Sequence, residues 1–198
     1  MRIFEDEHDY AAFQRVVEET LRVAPIRIAA YCWMPNHWHF VLWPRGDGDL
    51  SAFMQRMTNM HAQRWQRAKA HVGYGHLYQG RFKSFPIETD EHFYRVVRYV
   101  ERNALRAGLV ERAEEWRWGS LWRRVRGQGL PLLADWPLGE PSDWCQQVND
   151  PQTEAELNAI RRCVHRGSPY GATNWGERAA ELLGLQSTLH PRGRPRRA

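Results

Sequence analysis

The sequence predicts an α+β domain with an antiparallel sheet. Two aromatic and β-branched runs, 26–33 and 37–43, are separated by the short turn signal Met34-Pro35-Asn36. Segments with helical spacing of apolar residues lie on either side of that pair, and the order of helices and strands is that of an α+β fold rather than of repeated βαβ units. The 198 residues allow one sizeable core or a core with a small appendage, with 42% hydrophobic and 26% charged residues.

Phe13, Val16, Val17 and Leu21 give residues 9–22 one apolar face, so an amphipathic helix is expected, ended by Pro25. The two extended runs follow. The glycine-rich Gly46-Asp47-Gly48-Asp49 is a loop with Asp49 as the expected N-cap. Beyond it Phe53, Met54, Met57, His61, Trp65 and Ala68 mark a long helix, with Arg56, Arg64 and Arg67 on its other faces. Leu77–Ile87 reads as a third extended segment with Pro86 at its end. Thr89 is the expected cap of a helix reaching about Leu105, with Phe93, Val96, Val97 and Val100 buried and Gly108 as terminator. Residues 126–151 read as a wrapped linker rich in glycine, proline and tryptophan. Thr153 with Glu156, and Asn174 with Glu177, are capping-box signals for two short helices.

Bulk properties narrow the function classes. The formal charge is +5, and every basic residue except Lys69 and Lys83 is arginine, which suits bidentate recognition of phosphates and base edges. Arg192, Arg194, Arg196 and Arg197 crowd the end. No apolar run reaches the ~20 residues of a membrane span, and the acidic N-terminal stretch is unlike an export signal, so a cytoplasmic setting without membrane partners is expected. Cys32, Cys145 and Cys163 are odd in number and far apart, which points to reduced thiols rather than disulfides or a thiolate zinc site.

Two constellations carry chemistry. In His37-Trp38-His39 the alternate side chains of a strand share one face, with roots roughly 6–7 Å apart, so both imidazoles can converge on one ion. A bare pair of this kind is more often hydrogen-bonded sheet decoration, and it becomes informative only beside a further ligand and a nucleophile. Tyr99 and Asn103 supply that combination, since an i,i+4 pair presents a phenol and an amide together. Two imidazoles and an amide oxygen suit Mg2+ or Mn2+. Tyr99 would attack phosphorus and leave a phosphotyrosyl enzyme and a free 3′-hydroxyl. Tyr94 is a weaker candidate because its i+4 neighbour is Arg98. Arg81 and Lys83 precede the tyrosine helix as candidate phosphate contacts. Pro191-Arg192-Gly193-Arg194-Pro195-Arg196 has the form of an extended arginine hook for a narrow minor groove, balanced evenly against a plain basic tail. Of Trp116, Trp118 and Trp122, one or two could stack unpaired bases while the rest pack.

MPNHWHFVLWP, then QGRFKSFPIETDEHFYRVVRYVERNALRAGLV, then WRWGSLW, together resemble the HUH single-tyrosine transposases, and most closely the REP-associated tyrosine transposases. The resemblance covers essentially the whole chain, with the motifs in the family's order and spacing. It implies a ferredoxin-like catalytic domain over residues 1–125, followed by a linker and helical DNA-binding extension over 126–198. It implies metal ligation by His37, His39 and Asn103, and Tyr99 as nucleophile. The implied substrate is single-stranded DNA cut near REP-type hairpins in a bacterial, nucleoid-associated setting, with monomer and homodimer both open. Members usually carry a further strand before IFEDEHDY, whereas this sequence begins Met1-Arg2-Ile3-Phe4, so that strand is expected to be missing. Many have Asn-Pro where Asn103-Ala104 stands, and alanine suits a continuing helical turn. A hairpin-binding remnant without catalysis and a metal-dependent hydrolase of another substrate remain alternatives.

Overall fold

Asp6 opens helix α1 (Glu7–Val23) by accepting a hydrogen bond from the N–H of Asp9, and Tyr10, Phe13, Val16, Val17 and Thr20 form its buried stripe. The computed structural model describes residues 2–70, 75–127 and 133–190, so Arg192, Arg194, Arg196 and Arg197 lie outside the described residues. The chain divides into two compact units, one of residues 1–82 and 97–150, the other of 83–96 and 151–198.

In the first unit β1 (Arg27–Met34) and β2 (His37–Trp43) pair antiparallel, from Arg27 opposite Trp43 to Met34 opposite His37. A bulge lies between Ile28 and Ala30. The two-residue turn is anchored because the Pro35 carbonyl accepts from the N–H groups of Ile3 and Phe4 at 2.8 and 3.0 Å. Helix α2 (Asp49–Ala68) buries Phe53, Met54, Met57, His61 and Trp65. These join Phe4, Phe13, Trp33 and Trp118 in one aromatic-rich core. Gly48, at φ 87°, makes the left-handed turn into α2. Asp49 is not the N-cap expected: its carboxylate accepts from the N–H groups of Arg45 and Gly46, which closes the preceding loop.

The α+β class is as expected, but the sheet has two strands among the described residues. Leu77–Ile87 does not form the expected third strand. Its aromatic side chains are committed elsewhere, with the Tyr78 hydroxyl against His61 at 2.5 Å and Trp38 at 3.1 Å. The second edge of β1 is also already occupied. Trp33 N–H donates to the Trp118 carbonyl, Tyr31 N–H to Ser120 Oγ, and Ala134 N–H to the Ile28 carbonyl. The Trp116 and Trp136 indoles donate to the carbonyls of Trp33 and Ala29. The expected linker is therefore partly an edge cover, with a short helix α6 (Trp144–Asn149) after α5 (Ser120–Val125). Trp116 and Trp118 serve packing, Trp118 stacking on Tyr10 at 4.9 Å.

The tyrosine-bearing segment is α3 (Glu91–Glu101), a turn at Arg102, and α4 (Asn103–Arg106). Backbone bonds from Arg102 to Arg98 and from Arg106 to Arg102 carry the spiral through the break. Asp90, not Thr89, caps the start, accepting from the N–H of His92. Gly108, at φ 68°, follows the end.

In the second unit the Tyr170 carbonyl accepts from Glu88 N–H, and Tyr170 N–H donates to the Pro86 carbonyl. Helix α7 (Glu154–Arg166) has the expected Thr153–Glu156 capping box and ends at left-handed Gly167. Helix α8 (Thr173–Leu182) and α9 (Gln186–Leu189) follow. The expected Asn174–Glu177 box does not form, because the cap position is Ala172, whose N–H donates to Glu88 Oε2. No helix among the described residues is long and apolar enough to cross a membrane.

Candidate active site

Strand alternation sets the first half of the site. Trp38 and Phe40 pack against the aromatic core, which leaves His37 and His39 together on the other face. Their rings lie 4.9 Å apart between centroids and nearly perpendicular. His37 Nδ1 is 2.7 Å from the Asn36 side-chain oxygen. With its hydrogen on Nδ1, His37 donates there, which fixes the ring and frees Nε2 as a lone-pair donor. Burial, then the charge of His37 and of Arg106, lowers the pKa of His39 to about 3. Burial and Arg106 lower that of His37 as well. Both are therefore neutral near pH 7, the state in which an imidazole ligates a metal. Cys32, opposite His39 on β1, is fully buried, and burial pushes its thiol up to about 12, so it is inert.

The helix supplies the second half. The Tyr99 ring meets His39 edge-on at 5.9 Å. Tyr99 is mostly buried, and so is Asn103. Arg106 ties them together, its guanidinium 4.2 Å above the Tyr99 ring and its Nη2 donating to Asn103 Oδ1 at 2.7 Å. Among the described residues, the buried Asn103 amide nitrogen has no hydrogen-bond partner. The four expected residues His37, His39, Tyr99 and Asn103 thus sit in one unit around a shared patch. Arg106 was not expected, yet the spacing contains the signal, for it lies i+7 from Tyr99 and i+3 from Asn103 on one helical face.

The position of the helix is held from behind. Glu101 is fully buried and accepts from Ser120 Oγ at 2.5 Å and Trp144 Nε1 at 2.7 Å. Burial raises its pKa to about 7 against the opposing pull of those two bonds and of Arg124. The Arg98 and Arg102 guanidinium groups bond to the carbonyls of Asp150 and Val148, at 2.8 and 2.9 Å.

Arg81 and Lys83 are exposed. A separate group lies in the second unit, where ligand atoms of Glu88, Asp90 and His92 fall within 4.8 Å of one another, close enough to hold one ion. Asp90 Oδ1 and His92 Nδ1 are 2.8 Å apart there. Sequence spacing at i, i+2, i+4 was the available signal for it.

A histidine pair on a strand therefore meets a tyrosine and an amide on the helix packed against it. The chain belongs to the IS200-like transposase family, whose model matches residues 1–103. Its fold is similar to that of a solved structure described as a REP-associated tyrosine transposase bound to a REP hairpin. The TM-score is 0.51 at 21% identity, over 68% of this chain and 81% of that one. No curated protein matches the chain.

Proposed function

We propose that this transposase-family chain cuts and rejoins single-stranded DNA beside a hairpin, with Tyr99 as the nucleophile. The observation that carries the reading is the convergence of Tyr99, His37, His39 and Arg106 on one patch. The hairpin comes from the solved relative's description.

The Tyr99 hydroxyl oxygen attacks the phosphorus and gives up its proton, while the bond from phosphorus to the 3′ oxygen breaks. The products are a 5′-phosphotyrosyl link and a free 3′-hydroxyl. An incoming 3′-hydroxyl reverses the step and rejoins the strand, so no nucleotide cofactor is consumed. Arg106, stacked on the tyrosine ring, offers a fork of donors to a phosphate oxygen. His37 and His39 would hold Mg2+ or Mn2+, and their neutral state and fixed orientation fit that task. When bound, the ion polarises the scissile phosphate. Asn103 would add its oxygen through the lone pair that Arg106 does not use. Arg81 and Lys83 would add phosphate contacts, as would Arg192, Arg194, Arg196 and Arg197 of the tail. The protein would act in the bacterial cytoplasm, as monomer or homodimer.

The test is a hairpin-bearing oligonucleotide labelled at its 3′ end, incubated with Mg2+ or Mn2+ and resolved under denaturing conditions. A labelled protein adduct is expected from the parent, and roughly 10³-fold less or none from Tyr99→Phe. Equal adduct from both would remove Tyr99 from the mechanism. Binding without adduct in either would favour a hairpin-binding protein without catalysis.

A further inference from the structure

Helix α2 turns a second face outward, opposite Phe53, Met57 and Trp65. Gln55, Asn59 and Gln63 stand on it at i, i+4 and i+8, one step every ~6 Å, with Arg56 alongside. All four are exposed. They line a groove of about 580 Å³ whose other walls are Val23 and Ala24 from the end of α1, with Ala52 and Met60.

The composition of this face is unusual for a solvated helix. From Leu50 to Ala70 there is no acidic side chain. Two of the helix-side cations are neutralised by α1 and its approach, Arg64 by Glu19 at 2.7 Å and Lys69 by Glu5 and Asp9 at 2.7 and 2.9 Å. Arg56 and Arg67 make no ion pair among the described residues. The result is a cationic edge beside a row of neutral amides.

Those two chemistries fit different parts of one ligand. Guanidinium groups attract phosphates, whereas an amide presents a donor and an acceptor side by side, matching the major-groove edge of an adenine. Exposed Val23 and the Met60 and Ala52 side chains suit a thymine methyl. An α-helix fits the major groove of a duplex. A single strand is the poorer match, because its bases need aromatic platforms and no aromatic side chain lines the groove.

We propose that this face of α2 reads base edges in the duplex stem of a DNA hairpin, with Gln55, Asn59 and Gln63 as the reading residues and Arg56 as a phosphate contact. The proposal rests on the reading above that the substrate carries a hairpin. It adds that base-pair order within the stem matters.

The experiment measures binding of the full chain to a panel of DNA hairpins that share loop and flanks but differ in base-pair order over five stem positions. The parent is expected to prefer its best stem over the permuted ones by tenfold or more. The triple variant Gln55→Ala, Asn59→Ala, Gln63→Ala should bind all stems within about twofold of one another, with an unchanged melting temperature. Arg56→Ala should weaken all stems alike and lower the salt dependence by about one ion. No stem preference in the parent, or an undiminished preference in the triple variant, overturns the proposal. Binding of an acidic peptide in competition with every stem equally would also overturn it. Adduct formation is read separately: a stem preference without adduct sinks the role of Tyr99 and leaves the reading face standing.

Discussion

His39 and His61 are both histidines held neutral by burial, with pKa values lowered to about 3 and about 4. Their surroundings differ. His61 is packed between Phe4 and Phe13, ring centroids 5.6 and 4.6 Å away, and its Nδ1 meets the Tyr78 hydroxyl at 2.5 Å. His39 has no hydrogen-bond partner among the described residues and faces another imidazole and a tyrosine. A desolvated imidazole with an internal partner serves the fold. One left with an open lone pair beside a tyrosine has the chemistry that the proposed site asks of it.

The contrast can be broken in several ways. His39→Ala should lower adduct formation by about 10³-fold, some 4 kcal/mol of barrier, with little change in thermal stability. His61→Ala should do the reverse, destabilising the fold by about 2–3 kcal/mol through a cavity and a Tyr78 hydroxyl left with Trp38 alone, while leaving the adduct rate of folded protein unchanged. Exchanged results would mean that the two histidines have been assigned to each other's roles. Arg106→Lys keeps a cation but loses the planar fork, and single-turnover kinetics should slow by about tenfold with DNA binding retained.

The smallest effect is in pH dependence, where His61 is set against Glu101. The folded pKa of His61 is depressed, so its contribution is present above about pH 6.5 and lost as pH falls toward 4. That of Glu101 is raised, so its contribution is present below about 4.5 and lost as pH rises toward 7. Between pH 4.5 and 6.5 the two oppose each other. Relative to the parent, Glu101→Gln should make stability climb with pH by up to about 1.4 kcal/mol per unit, and His61→Phe should make it fall by as much. Denaturant titrations across that range would measure both slopes, and parallel curves for all three proteins would show that neither group titrates as described.

Much of this was legible in the sequence because it depends on local periodicity. Period-two alternation placed His37 and His39 on one face and Trp38 on the other, and helical spacing brought Tyr99 to Asn103. What escaped was settled by competition for partners. Asp49 and Asn174 have side chains able to cap, but the loop amides of Arg45 and Gly46 hold the first, and Glu88 serves the helix start beside the second. Leu77–Ile87 reads as extended, yet a strand needs a free edge, and Trp116, Trp118, Ser120, Ala134 and Trp136 hold the edge of β1. No pattern within 77–87 records that. Arg106 was missed because an arginine near the end of a helix looks like ordinary complement to the helix dipole.

The edge cover of β1 also dictates when the protein can fold. Its bonds join residues 83 to 107 positions apart in the chain, such as Trp33 with Trp116 and Ala29 with Trp136, and closures of that length are slow. A nascent chain that has emerged only as far as residue 103, the span matched by the family model, holds His37, His39, Tyr99 and Asn103. It still lacks the segment that shields β1, and a bare, apolar strand edge invites pairing with other chains. Fragments ending there should aggregate, and the histidine pair should acquire its final geometry only after residue 136 has left the ribosome.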